Sequence, residues 1–211
     1  MNYSISSSLT TEIRPSATDR QIFAAFGLAP RTFRLPLADN LSLSPSPGEI
    51  IFLTGPSGSG KTTLLRLFRR LFSPNLDLMD IPLSPNRILT DHFNLPLEKS
   101  LYFLSLAGLA DASLLLHTPP ELSDGQLFRF RLALVLSHSP PFVFCDNFLD
   151  PLDRLSARIL AGNLRKFARR STSVFFLASP HHDILPQLKP DLLIEKPLYA
   201  PAISKKFHRH H

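Results

Sequence analysis

Continuous apolar runs, each stopped by a polar or glycine-rich turn, set the rhythm of this chain. Ile50–Leu53 is one such run, and Phe142–Cys145 and Ser173–Ala178 are two more. Unbroken apolar residues over this length, rather than alternation, predict strands buried on both faces. Between them the period changes. Leu64, Leu65, Leu67, Phe68, Leu71 and Phe72 form one broad apolar face with Arg66, Arg69 and Arg70 opposite, which predicts an amphipathic helix. Further helices are predicted over Leu97–Leu106, stopped at Gly108, then Leu109–Leu116, Leu127–Ser137 and Arg154–Arg170. Upstream, Thr18-Asp19-Arg20-Gln21 predicts the cap of a short helix ending at Gly27. Thr32–Leu37 and Leu41–Leu43 predict two short strands, broken at Asp39-Asn40 and ended by Pro45 and Pro47. Pro74, Pro82 and Pro85 mark an irregular connector, and no internal repeat is visible. Strands alternating with helices predict an α/β domain.

The first run leads into Gly55-Pro56-Ser57-Gly58-Ser59-Gly60-Lys61-Thr62, followed by Thr63. This fits the phosphate-loop pattern G-x-x-x-x-G-K-[ST] in full. Glycines let backbone N–H groups turn inward around phosphates, and the following helix offers them its positive end. Lys61 would reach the β- and γ-phosphates, and the Thr62 hydroxyl would ligate Mg²⁺. A glycine-rich turn with a chance lysine is the bland alternative; a strand before and a helix after argue against it. Only eight glycines occur, and Gly55, Gly58, Gly60 and Gly125 are four of them, so glycine is concentrated where chemistry uses it.

Composition narrows the classes. At 211 residues with 44% apolar content and seventeen Phe, the chain can fill one core. One cysteine excludes an internal disulfide and fits a reducing compartment. The first fifteen residues are polar, unlike a signal peptide, and no apolar stretch approaches a bilayer span, so the expected address is cytoplasmic. The net charge of +6 comes from clusters at Arg66, Arg69 and Arg70; at Arg165, Lys166, Arg169 and Arg170; and at Lys205, Lys206 and Arg209. Contact with nucleic acid is one reading. Solvated helix faces, with cations favoured at helix C-termini, is the preferred one, because no nucleic-acid motif accompanies the charge.

A second motif follows the Pro119-Pro120 break. Glu121-Leu122-Ser123-Asp124-Gly125-Gln126 leads into a helix, then a buried strand ending at Asp146. Phosphate loop, L-S-x-G-Q turn, helix, apolar strand and acid, in that order over residues 33 to 198, resemble the ATP-binding cassette (ABC) ATPases, whose signature is L-S-G-G-Q. The resemblance implies a P-loop NTPase of α/β class: an ABC-type core with a mixed sheet, an antiparallel β subdomain and a small helical subdomain. It implies that Asp146 holds the Mg²⁺ hydration shell. Ser123, Gly125 and Gln126 would face the γ-phosphate bound to an opposite protomer, and Asp153 would lie in the family's D-loop. After the strand at Ser173–Ala178, Ser179-Pro180-His181-His182-Asp183 resembles the switch region, with His181 assigned to the γ-phosphate and His182 in reserve. Each residue has a plain alternative role: Ser123 and Asp153 as helix N-caps, Asp146 as a turn cap, the histidines as a surface turn.

The sequence departs from the family at two places. Position 147 is Asn, where most active members have a Glu that polarises the attacking water. Asn147 can hydrogen-bond water but cannot take its proton, so slow turnover is expected, with ATP acting partly as a dimer clamp. Asp150 could substitute only if its loop folded back, which is not expected. The family's Q-loop glutamine is also missing, since no glutamine occurs between Lys61 and Gly125. That absence and the short interval to the signature argue against a transporter subunit. Phe33 is a candidate for stacking on adenine. The phrases Phe26-Gly27-Leu28, Leu122–Gln126, Asp146-Asn147-Phe148 and Leu188–Lys196 are similar to a group of soluble cassette ATPases sometimes fused to a predicted acetyltransferase domain.

The expected organisation is an extension with a short helix over residues 1–30, an ATPase domain over 31–198 with a helical insert near 75–137, and a basic tail over 199–211 with His208–His211 at its end. The expected activity is conversion of ATP and water to ADP and phosphate by a head-to-tail homodimer binding two Mg-ATP, acting on an unidentified macromolecular partner. Alternatives are the ATP-binding subunit of a membrane transporter, a nucleic-acid-associated ATPase, and a pseudoenzyme that binds ATP without turnover.

Overall fold

The apolar runs become the centre of a six-stranded sheet in the computed structural model, which describes residues 3–11, 16–27 and 33–206. In chain order the elements are β1 (Tyr3–Thr11), α1 (Ala17–Phe26), β2 (Phe33–Leu43), β3 (Ile50–Thr54), α2 (Lys61–Leu71), β4 (Asn75–Asp77), α3 (Leu97–Leu106), α4 (Asp124–His138), β5 (Phe142–Cys145), α5 (Arg154–Ala168), β6 (Val174–Ala178), α6 (Leu185–Leu188), β7 (Leu192–Glu195) and β8 (Ile203–Lys206). The main sheet runs β4-β5-β6-β3-β7-β8. Its pairings are parallel except β7 with β8, so the sheet is mixed as expected.

Period-two alternation sends each central strand into two separate cores. Ile50 and Phe52 of β3, Val143 and Cys145 of β5, and Phe175 and Leu177 of β6 face α3, α4 and α5. Ile51 and Leu53, Phe144, and Phe176 and Ala178 face α2 and the antiparallel pair β1–β2. Aromatic rings fill the second layer: Phe144 and Phe176 stack at 4.7 Å, Phe72 and Phe176 at 4.9 Å, and Tyr3 meets Phe72 edge-on. Burial on both faces is why these strands read as unbroken apolar runs.

Several expectations are corrected. The two short strands before the phosphate loop are one strand, β2, because Asn40 takes the left-handed conformation (φ 49°) instead of ending it. The irregularity is absorbed by shifts in pairing between Ile5 and Ser8 of β1, where Ser6 Oγ accepts the Asn40 N–H at 2.9 Å. The Ser- and Thr-rich start is therefore no mere extension: it supplies β1. The short helix is capped by Ser16, not Thr18, through a reciprocal box with Asp19. Leu109–Leu116 is not an α-helix; it holds only a 3-10 turn, Ala112–Leu116. Within the expected helical insert, β4 joins the main sheet. In the expected tail, Lys205 and Lys206 lie on the edge strand β8, and Lys205 Nζ meets Glu195 Oε2 at 2.9 Å. Charge on an edge strand guards it against further pairing. His208–His211 lie outside the described residues. Among the described residues no helix is long and apolar enough to cross a membrane.

One member of a basic cluster is not solvated. Arg165 is 5% exposed, and its Nη1 donates to Asp191 Oδ2 at 2.6 Å. That same oxygen accepts the Ile50 N–H at 2.9 Å, so α5 is tied to the start of β3. Removing one partner strands a buried charge. Arg165→Ala is expected to lower the unfolding free energy by about 3–5 kcal/mol in urea titration, whereas Arg169→Ala at the exposed end of the helix should change it by less than about 0.5 kcal/mol.

Candidate nucleotide-binding site

Parallel register brings the ends of four strands to one edge. Leu53 is level with Ala178, Thr54 with Glu195, and Cys145 with Leu177. The residues that follow, Gly55, Ser179, Lys196 and Asp146, are therefore neighbours, as expected of a cleft at the carboxyl ends of parallel strands.

The phosphate loop threads between two walls. At Gly55 (φ 143°) a Cβ would fall on the Lys196 carbonyl oxygen. At Gly60 (φ 100°) it would lie 2.9 Å from Leu37 Cδ2 and 3.1 Å from Leu35 Cδ2, both on β2. Lys61 Nζ closes the loop by donating to the carbonyls of Gly55 at 2.7 Å and Pro56 at 2.9 Å. Burial pushes the Lys61 pKa below its ordinary value, while the charges of Asp146 and Asp150 pull it back up. Pro56, Ser57 and Gly58 form the exposed rim, and Thr63 is half-buried on α2. Ser59 is fully buried and its Oγ has no hydrogen-bond partner among the described residues. Among the described residues the N–H groups of Gly58, Gly60, Lys61 and Thr62 also lack a partner within the chain. A ring of free donors at the start of an eleven-residue helix suits an anion.

Beside the loop, Thr62 Oγ1 donates to Asp146 Oδ2 at 2.6 Å, and Asp146 Oδ1 accepts the Asn147 N–H at 3.0 Å. No group of three His, Cys, Asp or Glu side chains gathers among the described residues. The paired hard oxygens of Thr62 and Asp146 do suit Mg²⁺, which keeps several waters and takes substrate phosphate oxygens.

The expectation that Asp150 stays away is overturned. Asn147 (φ 50°) and Leu149 (φ 65°) are both left-handed, and the Asp150 N–H returns to the Asn147 carbonyl at 3.1 Å. Phe148 and Leu149 are fully buried and hold this turn in place. It delivers Asp150 to the residues that follow β6, where Ser179 Oγ donates to Asp150 Oδ1 at 3.0 Å and His181 Nε2 lies 3.7 Å from that oxygen. The histidine pair divides: His181 faces Asp150, while His182 Nε2 is 3.1 Å from Thr54 Oγ1 at the end of β3.

A cavity of about 900 Å³ opens beside Thr62, Asp146, Asn147 and Asp150 and extends to Asp124 and Phe128 of α4. In the interval without glutamine, Arg69 reaches it together with Asp77 and Asp80, bonding both carboxylates. Burial raises the Asp77 pKa. Ser123, Gly125 and Gln126 lie at the start of α4, where Ser123 and Gln126 satisfy each other. Ser123 Oγ accepts the Gln126 N–H at 3.3 Å, and Gln126 Oε1 accepts the Ser123 N–H at 2.9 Å. A Cβ on Gly125 would be 3.2 Å from the Pro151 carbonyl oxygen, so this turn packs on the loop that precedes α5 in the same chain. Asp153 caps α5 by accepting the Ser156 N–H at 2.9 Å, and hydrogen bonds from Ser156 hold its pKa below the usual carboxylate value. Within one chain none of these four residues hydrogen-bonds to Lys61 or Thr62 among the described residues. The Phe33 side chain falls outside the described residues.

Lys196 had no sequence signal. Its side chain is fully buried behind the phosphate loop, and the ammonium donates to the carbonyls of Pro197 at 2.7 Å and Ala200 at 2.9 Å. Burial lowers its pKa. Its N–H also donates to the Thr54 carbonyl at 2.8 Å.

A family profile described as ABC transporter matches residues 38–92. The aliphatic sulfonates import ATP-binding protein SsuB of Delftia acidovorans is 31% identical over 165 residues, covering 69% of this chain and 67% of that protein. The alpha-hemolysin translocation ATP-binding protein HlyB of Escherichia coli O6:H1 is 27% identical over 175 residues, covering 65% of this chain; the chain spans only 25% of that protein's length. The osmoprotectant import ATP-binding protein OsmV of Salmonella typhimurium is 26% identical, over 74% of this chain and 49% of that protein. The dimeric bacterial ABC transporter cassette MJ0796 superposes over 100% of both chains with TM-score 0.69 at 16% identity. Its post-hydrolysis form bound to ADP and Pi gives TM-score 0.66 at 17% identity, over 97% of this chain and 99% of that one. None of these gives support to a nucleic-acid partner.

Because a side chain at position 55 collides with a backbone carbonyl, Gly55→Ala is expected to part the loop from β7. A loss of about 1–3 kcal/mol in urea unfolding should accompany weakened binding of a fluorescent ATP analogue. Unchanged affinity and stability would show that the loop tolerates the displacement.

Proposed function

The chain belongs to the ATP-binding cassette ATPases, and from that premise we propose that it binds Mg-ATP, closes as a head-to-tail dimer around two nucleotides, and hydrolyses them slowly. The observation that carries this reading is the Thr62 Oγ1–Asp146 Oδ2 hydrogen bond of 2.6 Å, which joins the phosphate loop to the strand-end acid beside Lys61. In this reading residues 31–198 are the working domain, and residues 55–63 hold the triphosphate. Lys61 neutralises phosphate charge, and His181 contacts the γ-phosphate. Thr62 and Asp146 would hold Mg²⁺, which, when bound, neutralises charge on the transferring phosphoryl group.

The dimer follows from what one chain leaves unfinished. Ser123, Gly125 and Gln126 lie at the start of a fifteen-residue helix with their mutual cap facing outward, away from any hydrogen bond to Lys61. A two-fold partner presents that helix end to the γ-phosphate, and Asp153 follows in the adjoining loop. Nucleotide contacted from both sides only in the dimer then favours closure.

Asn147 sets the rate. It orients water without accepting a proton, so the dimer stays closed longer per turnover than with Glu at that position. The placement near cassette ATPases fused to an acetyltransferase domain rests on the quoted phrases alone. A second reading, the ATP-binding subunit of a transporter, is favoured by the import and translocation proteins among the relatives. The missing glutamine counts against it, and co-purification of a membrane partner would favour it.

Steady-state assays should find slow turnover that Lys61→Ala abolishes and Asn147→Glu raises by about 10²-fold or more. Equal kcat for wild type and Asn147→Glu would rule out Asn147 as the limit. Sedimentation of the Asn147 protein with saturating ATP and Mg²⁺ should give a dimer; a monomer under those conditions ends the clamp reading.

A further inference from the structure

Asn147 leaves the site without a proton acceptor at its usual place, yet the loop that follows carries another carboxylate into the cavity. We propose that Asp150, held by Ser179 beside His181, accepts the proton of the attacking water in the ATP hydrolysis argued above. This rests on that reading of the site.

The carboxylate oxygens near the loop can be accounted for one by one. Asp146 Oδ2 takes the Thr62 hydroxyl and Oδ1 takes the Asn147 N–H. Asp150 Oδ1 takes the Ser179 hydroxyl at 3.0 Å with His181 Nε2 at 3.7 Å. Asp150 Oδ2 takes no hydrogen bond among the described residues, and Asp150 lines the same cavity as Thr62, Asp146 and Asn147. It is close enough to the Lys61 ammonium for its charge to act on it. The side chain is 31% exposed, enough to meet water.

The backbone is built to hold it there. Two left-handed residues, Asn147 and Leu149, neither of them glycine, turn the chain back within three positions. The conformation is uncommon for such residues and persists because Phe148 and Leu149 are fully buried and the Phe148 N–H bonds the Ala178 carbonyl at 2.8 Å. Ser179 fixes one oxygen and leaves the other to the cavity. A proton lost from water to Asp150 Oδ2 accompanies formation of the new O–P bond. The bond from phosphorus to the bridging oxygen breaks with its electron pair going to ADP, and Asp150 returns the proton to solvent after phosphate departs.

Asp150→Asn keeps the shape and the acceptor for Ser179 while removing the charge. Its kcat is expected to fall by about 10²-fold with affinity for a fluorescent ATP analogue unchanged within about twofold. Adding Asn147→Glu to Asp150→Asn should restore turnover to the level of Asn147→Glu alone. Wild-type kcat in Asp150→Asn overturns the assignment. So does an equal loss when Asp150→Asn is made in the Asn147→Glu background, since that marks a structural role. Nucleotide binding without wild-type turnover also overturns it while sparing the clamp, whereas failure to bind nucleotide defeats both.

Discussion

In-register parallel pairing of β5, β6, β3 and β7 is the constraint on which the rest depends. Parallel strands end at the same edge, so whatever follows each of them is held within a few ångströms of its neighbours. Here those followers are Asp146, Ser179, Gly55 and Lys196, contributed by segments spread over residues 55 to 196. The pairing survives because every central strand is buried on both sides, with alternate residues locked into two different cores. A one-residue slip would exchange the faces of each strand and pull the edge residues out of line.

That edge leaves little space, and the glycines mark where it is used up. Gly55 meets the backbone of the β7–β8 turn, and Gly60 meets Leu35 and Leu37 of the antiparallel pair. The N-terminal sheet is thus part of the phosphate loop's housing. Lys196 completes the opposite wall. Enclosing an ammonium group is costly, and its two carbonyl partners offset that cost while fixing the turn around it.

Charge in the cavity is divided by geometry. Asp146 is occupied by Thr62 and a backbone N–H, Asp77 and Asp80 share Arg69, and Asp150 is bound through one oxygen only. Like charges so close together persist because each has a distinct partner or open water. At the other end of the cavity Ser123 and Gln126 satisfy each other, which leaves the start of α4 ordered before any partner arrives.

The sequence alone determined what depends on local pattern. Ile50–Leu53, Phe142–Cys145 and the run to Ala178 read as buried strands because burial on both faces leaves an unbroken apolar signature. The phosphate loop and L-S-x-G-Q turn were legible because their chemistry lies in residues adjacent in the chain. Strand β1 was not legible, since its alternation is written in serine and threonine and its bulged partner looks like two fragments. Tertiary structure alone decided which histidine meets which partner, how Asp150 returns to Ser179, and that Lys196 backs the loop. It also decided that Arg165 belongs to Asp191 rather than to a solvated face. Each of these joins positions far apart in the chain or bends it through left-handed residues other than glycine, and no local periodicity encodes such a meeting.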